Sequence, residues 1–459
     1  MNKDQNDNFV FSTANEFKNS PIKDKRIVRR LIKTVESLIA SPGESIPKAC
    51  QSQAQTKAAY RLLSNKKLKS DDILVGHRQE TIKRISENGT VLSLQDTSLL
   101  DYTTHPGTKG LGPTGKEGLK GILMHTALAV STSGTPLGIL AQSIWTRNPN
   151  EPPSRNHRKK RPIEEKESYK WLDTMDKSLA DIPESTTVVT VGDREADIYE
   201  LFHKAVKEKK HVLIRAIYNR NVEQEQKKLY EQVKSTPVLG EFSITVPRKT
   251  ELNSPPREAW LTVQSCRVTL CPSYVKGKSL EKIVLTAILV RENAPPKGVK
   301  PIEWLLLTTL MVHNAKEAIE KVHWYSYRWK IERFHYVLKS GCKIEELQLE
   351  TFERLKNAIS IYSFLAWRLT WITYQARETP NIPCDIVFSD TEWKILYCRV
   401  KETSRIPKKV PSLKEAVLLV AKLGGFLARK GDGDPGVVVL WRGLRDLYTI
   451  TKALPYLSF

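Results

Sequence analysis

Tyr325-Ser-Tyr-Arg-Trp-Lys-Ile-Glu-Arg-Phe-His-Tyr-Val-Leu-Lys339 is the stretch on which the reading of this chain turns. Tyr325, Arg328, Glu332, His335 and Lys339 recur at alternating intervals of 3 and 4 residues. At about 100° per residue they fall within an arc of roughly 80° on one helix. Trp324, Tyr327, Ile331, Phe334 and Leu338 repeat the spacing about 100° further round. The spacing therefore predicts one long helix, opened by Asn314 and Glu317 at capping-box spacing and stopped near Gly341. Its apolar stripe faces the core and its mixed-charge stripe borders it. A solvated Arg328–Glu332 ion pair, worth about 0.2–0.5 kcal/mol, accounts for the polar stripe. So does a packed carboxylate flanked by cations, which suits a metal ion beside a phosphate.

Two further carboxylates bear on that choice. Val91-Leu-Ser-Leu94 reads as a strand leading into Asp96, and Thr187-Val-Val-Thr-Val191 as another leading through Gly192 into Asp193. Taken alone, Asp193 reads first as a helix N-cap and Asp96 as a turn residue after a strand. Acidic residues at the ends of neighbouring strands converge on one sheet edge. A Glu from a packed helix then completes a three-carboxylate cage of hard oxygen ligands, suited to Mg²⁺ or Mn²⁺ and not to zinc.

Around these motifs the chain alternates in type. Residues 20–70 hold 12 Lys and Arg against 3 Asp and Glu. Asp24–Ile39 and Gln53–Leu63 within them read as helices of a small basic module. Strands are expected at Ile122–Val130, Leu137–Trp145 and His211–Ile217, with helices near 163–180 and over Arg194–Val206. Residues 218–302 break this α/β alternation with period-2 runs at Phe242–Val246, Trp260–Val268 and Ile283–Val290, an expected antiparallel insertion. The run from Trp304 to Thr308 returns to the α/β core, and the tail from about 376 reads as helical.

The 459 residues suffice for several domains, and the balance of 73 Lys+Arg to 51 Asp+Glu leaves +22 at pH 7. A nucleic acid is the commonest partner for such a charge, an anionic membrane surface the other. No apolar run approaches the ~18–20 residues of a membrane span. The polar start MNKDQNDNFVF carries no apolar signal core. Cys50, Cys266, Cys271, Cys342, Cys384 and Cys398 are scattered without a C-x-x-C, which argues against a disulfide framework and for a reducing cytoplasm.

Asp193-Arg-Glu-Ala-Asp-Ile-Tyr199, together with Tyr325, Arg328, Glu332 and Lys339 in a Y-x-x-R-x-x-x-E-x-x-x-x-x-x-K pattern, resembles bacterial DDE transposases of the cut-and-paste branch with the Y-R-E-K signature, kanamycin-transposon type. Leu423-Gly-Gly-Phe426 extends the likeness toward the C-terminus. The resemblance implies an RNase H-like α/β core with an antiparallel β insertion (about 218–302) in a catalytic domain over 71–375. It also implies a helical DNA-end-binding domain over 1–70 and a helical dimerisation domain over 376–459. Asp96, Asp193 and Glu332 would be the catalytic triad and hold two Mg²⁺ ions, with Mn²⁺ as a substitute. The implied reaction is 3′ strand nicking, hairpin formation and strand transfer into target DNA by a homodimer on paired transposon ends, in the bacterial cytoplasm at the nucleoid. Arg26, Arg30, Arg215, Arg220, Trp304, Tyr325, Arg328, Trp329, His335 and Lys339 are the implied DNA contacts. Trp304 matches an aromatic that holds a flipped base, although as a bare residue it reads as sheet core. Arg333 and Tyr336 depart from the pattern, which touches the phosphate contacts and not the triad.

Two other readings stay open: a DNA-binding derivative without catalysis, and a metal-dependent nuclease that never joins DNA. Gly110-Leu-Gly-Pro-Thr-Gly115-Lys116 has phosphate-loop spacing but Glu117 where Ser or Thr is required. Gly431–Gly436 is too short for a calcium loop. His105 and His125 lack metal-ligand spacing, and the Arg155–Arg161 cluster reads as a solvated loop.

Overall fold

Asp24, the one acidic residue at the head of a basic amphipathic run, accepts the Arg26 N–H and so starts the first long helix. The N-terminal helices are α1 (Thr13–Lys18), α2 (Lys25–Ile39), α3 (Ile46–Cys50), α4 (Gln53–Leu63), α5 (Ser70–Ile73) and α6 (Val75–Ser86). In this computed structural model, residues 12–115, 117–150, 161–246, 257–272 and 280–453 are described. Lys116 and the 155–160 part of the basic loop lie outside them. The chain divides into two units: Met1–Asn88, Thr97–Pro152 and Lys330–Phe459 form one, Gly89–Asp96 and Pro153–Trp329 the other. The strand β1 (Thr90–Asp101) runs from the second unit into the first.

In the first unit, β2 (Gly112–Pro113) and β4 (Pro136–Trp145) pair antiparallel with β3 (Lys120–Ser131). Against them packs a buried polar knot. Glu16 takes Arg84 Nη1 at 2.7 Å and His77 Nδ1 at 2.6 Å, and His77 Nε2 accepts the Ile139 N–H at 3.0 Å. The imidazole thus bears its proton on Nδ1, and burial holds its pKa below the ordinary value despite the Glu16 carboxylate.

The second unit holds β5 (Thr187–Gly192), β6 (His211–Arg215), β7 (Gly240–Val246), β8 (Arg257–Leu270), β9 (Ile283–Glu292) and β10 (Glu303–Thr308), hydrogen-bonded in the order β1-β5-β6-β10-β9-β8-β7. Strands β1, β5 and β6 run parallel and the others antiparallel. Parallel strands covered on both faces read as continuous apolar runs, as Val188–Val191 does. The helices α7 (Lys170–Leu179), α8 (Tyr199–Lys207) and α9 (Leu229–Lys234) cover this sheet, with Trp171, Phe202, Leu229 and Leu285 in the shared core. The result is the expected mixed α/β class. The strands of the expected insertion are not a separate sheet, because β9 pairs with β10 and so prolongs the main one.

Two expected helices are interrupted. The Arg194–Val206 segment forms a 3₁₀ turn over Arg194–Ala196, then leaves helical geometry at Asp197 (ψ 67) before α8 starts. The helix expected from Asn314 to Gly341 is α10 (Ala315–Ser326) and α11 (Trp329–Tyr336), followed by a π turn over Val337–Gly341. Asn314 does cap α10, accepting the Glu317 N–H at 3.0 Å. At the break the Arg328 N–H reaches back only to the Tyr325 carbonyl, a tightened last turn. Near 163–180 the first residues form two 3₁₀ turns, so the α-helix proper starts at Lys170.

The first unit ends with α12 (Phe352–Glu378), buried over most of its length, then α13 (Asp390–Lys401), α14 (Leu413–Leu423) and α15 (Val437–Ala453). Gly443 and Gly424 let α14 and α15 meet backbone to backbone: a Cβ on Gly443 would overlap the Val420 carbonyl, and one on Gly424 the Val439 carbonyl. Gly443→Ala is therefore expected to destabilise the protein by about 1–3 kcal/mol through overpacking. An unchanged midpoint of thermal unfolding would show that these helices part freely.

Candidate active site

The last register pair of the parallel β1–β5 ladder is Leu94↔Val191. Asp96 and Asp193 each lie two residues further on. Carried on at the same register, the ladder would set them level and on one face, with strands about 5 Å apart. Asp193 is still extended (φ −82, ψ −161), and its Oδ1 accepts the Glu195 N–H at 2.8 Å, capping the turn that follows. Gly192 permits this turn, since a Cβ there would press on Ala196, Ile214 and Trp171. Both aspartates are half-buried. One expectation changes: Asp96 does not end its strand. β1 continues to Asp101 because β3 borders it beyond the point where β5 stops.

The same unit carries a wall of cations. Tyr325 is buried at the end of α10, with the Arg215 and Arg328 guanidinium groups near enough to act on its hydroxyl. Burial raises the phenol pKa and the two arginines oppose that rise. Burial lowers the pKa of Arg215, and the neighbouring Arg194 and Arg328 charges lower it further. Arg215 Nη2 also donates to the Glu303 carbonyl at 3.0 Å. Trp304 on β10 packs edge-on against Tyr325, with ring centroids 5.4 Å apart. Trp329 is 60% exposed, with the Arg328 guanidinium 5.1 Å from its ring. Sequence reasoning did not single out Arg194, although its place next to Asp193 was the available signal.

Glu332 belongs to the other unit, half-buried in the first turn of α11. The expected five-residue polar stripe is thus spread over α10, α11 and the π turn. His335 departs from its expected DNA contact: it is buried, with its pKa pushed down to about 3 by burial, and is neutral at pH 7. The π turn carries Lys339, whose Nζ donates to the Leu99 carbonyl and lies 3.6 Å from Glu345. Arg220 also departs from expectation. Its guanidinium grips Asp197 Oδ1 through Nη2 at 2.6 Å and Nε at 3.1 Å, within the fold. In the N-terminal module, Arg26 and Arg30 line a groove between α2 and α4 together with Arg61 and Asn65. Arg26 is 84% exposed and held by Asp24 at 3.0 Å.

Among the described residues no three His, Cys, Asp or Glu side chains are grouped to hold a metal ion. The paired aspartates supply hard carboxylate oxygens, the donor type that Mg²⁺ and Mn²⁺ prefer. They fit part of such a site.

Comparisons with known proteins bear on this arrangement. Residues 166–369 match the transposase DDE domain, residues 12–68 the transposase DNA-binding domain, and residues 364–457 the Tn5 transposase dimerisation domain. The chain thus carries a transposase-type DNA-binding domain, a DDE domain and a dimerisation domain in that order. Its DDE domain implies dependence on a divalent metal. Among solved structures, the cryo-EM structure of the piggyBac transposase synaptic complex with hairpin DNA is similar at 10% identity and a TM-score of 0.32. The match covers 83% of this chain and 60% of that one, so the chain spans less than two thirds of that relative's length. A likeness this distant carries no argument about function. No described helix is long and apolar enough to cross a membrane.

Asp197, the second acid of the Asp-Arg-Glu-Ala-Asp segment, is buried and bonded to Arg220. Asp197→Ala is expected to destabilise the protein by about 3–5 kcal/mol, because it strands a buried guanidinium. Chemical denaturation measures this; a loss below about 1 kcal/mol would place the pair with ordinary surface ion pairs.

Proposed function

We propose that the protein catalyses cut-and-paste DNA transposition, as a member of the bacterial Y-R-E-K branch acting in the cytoplasm. The observation that carries this reading is the pair Asp96 and Asp193 in the unit that also holds the Tyr325–Arg215–Arg328 cluster. Glu332 is the third acid of the proposed triad. When bound, two Mg²⁺ ions supply activation of the attacking oxygen and stabilisation of the leaving one.

The chain's own residues bind and position the DNA. Arg215, Arg328 and Arg194 hold phosphate oxygens, and Tyr325 orients two of these guanidinium groups. Trp304 and Trp329 offer aromatic faces to unstacked bases. Lys339 adds a cation near Asp101 and Glu345. Arg26 and Arg30 engage the terminal repeats of the element, and the C-terminal helices pair two copies so that two ends are processed together. The sequence of products is a 3′ nick, a hairpin and a strand joined to target DNA.

The test is a cleavage assay on DNA from the flanks of this gene. Asp193→Asn is expected to abolish Mg²⁺-dependent nicking while end binding stays within about threefold, a change of ~0.65 kcal/mol or less. Nicking that survives the substitution removes Asp193 from the site. Chelation is expected to act as the substitution does, stopping cleavage and leaving binding. Cleavage without hairpin or joined product makes the protein a nuclease instead.

End affinity is expected to fall steeply with salt, by roughly 10³–10⁵ between 50 and 200 mM if 6–10 phosphates are contacted. Filter binding or anisotropy across that range checks it, and a flat response contradicts a phosphate-bound surface.

A further inference from the structure

Residues 216–220 leave the end of β6 as a loop that is anchored from below. Asp197 Oδ2 accepts the N–H of Ile217 at 2.8 Å and of Tyr218 at 2.9 Å. Its Oδ1 and carbonyl oxygen take Arg220. The Asp197 side chain is fully buried, so both backbone amides are fixed to the interior. The Arg220 guanidinium lies 5.3 Å from the Tyr218 ring and 6.0 Å from the Tyr199 ring.

Above this anchor the Tyr218 side chain projects outward, 58% exposed, beside Ile217 at 55%. The backbone here is tied to a buried carboxylate while the Tyr218 and Ile217 side chains stay largely open to solvent. Tyr218 also lines a concavity of about 340 Å³ with Arg194, Arg215, Asn219, Tyr230 and Glu303. Glu303 Oε2 accepts the Tyr230 hydroxyl at 2.9 Å, and with Arg194 and Arg215 against this one carboxylate the cleft keeps an excess of positive charge. An aromatic face beside two guanidinium groups matches one nucleotide of a single strand, base on the ring and phosphate on the cations.

We propose that Tyr218 is a stacking platform for one unpaired nucleobase of the processed DNA strand, whose adjoining phosphate sits against Arg194 and Arg215. This contact is distinct from Trp304 and Trp329, and it rests on the transposase reading above. Tyr218 touches substrate and orients it, and the Asp197–Arg220 pair is the positioning element beneath it. Because any base has a π face, the contact selects for an unpaired base and not for a sequence.

The experiment is photo-crosslinking of the full-length protein to gene-flank duplexes carrying 5-iodouracil at successive positions of a short single-stranded extension. A crosslink at one position is expected to map to the peptide containing Tyr218. Tyr218→Phe is expected to keep both the crosslink and the cleavage rate. Tyr218→Leu, similar in bulk but without a π face, is expected to lose the crosslink and slow steps that use the unpaired strand by about tenfold, with duplex binding unchanged. Tyr218 is exposed and its anchor is backbone, so the Leu and Phe chains are comparable in folding, which circular dichroism checks. Crosslinks that map to Trp304 or Trp329 alone, or a Leu variant equal to Phe, overturn the proposal. If the wild type neither binds nor cuts these duplexes, the transposase reading fails first, and this proposal falls with it.

Discussion

The parallel ladder between β1 and β5 is the constraint on which the rest of this molecule depends. Its register sets Leu94 against Val191, and continued with period-2 alternation it would bring Asp96 and Asp193 level and onto one face. A slip of one residue would turn one aspartate to the opposite face. The register is held because Val188, Val189, Val191, Leu92 and Leu94 are buried within the sheet. Apolar packing thus holds the ends of the two strands in register. Arg194, Arg215 and Arg328 belong to the same unit.

The segments that carry chemistry are also those where regular structure gives way. After Asp193 the chain makes one 3₁₀ turn and breaks at Asp197, since that carboxylate is committed to the amides of Ile217 and Tyr218 and to Arg220. After Tyr325 the helix stops and restarts at Trp329, then loosens into a π turn at Lys339. Such interruptions re-aim side chains that a straight helix would leave on one stripe. Arg328 can then lie near Tyr325 while Trp329 faces solvent.

Charge follows a similar division. A net +22 says that a polyanion is a fitting partner, but it does not say which cations meet it. Arg220 turns inward to a buried acid. Lys330 is buried over the Tyr374 ring at 3.8 Å, with its pKa lowered to about 8 by burial. His335 is buried and neutral. Arg26, Arg30 and Arg61 line an open groove. Each outcome is decided by what packs around the residue, and burial disfavours the charged form wherever no partner compensates.

The sequence by itself determined the α/β class, the basic helical module with Asp24 as its cap, the strands around Asp96 and Asp193, and the cap at Asn314. All of these rest on local signals: periodicity, β-branched runs and side chains that bond their own backbone. It also marked Tyr325 and Arg328 through their spacing. Only the tertiary structure decided that β1 runs on past Asp96, that the β insertion joins the main sheet through β10, and that the long helix breaks before Trp329. The same holds for the inward turn of Arg220 and the burial of His335. Those features depend on neighbours distant in the chain, and a strand's length or a cation's fate follows from which partner lies beside it in space.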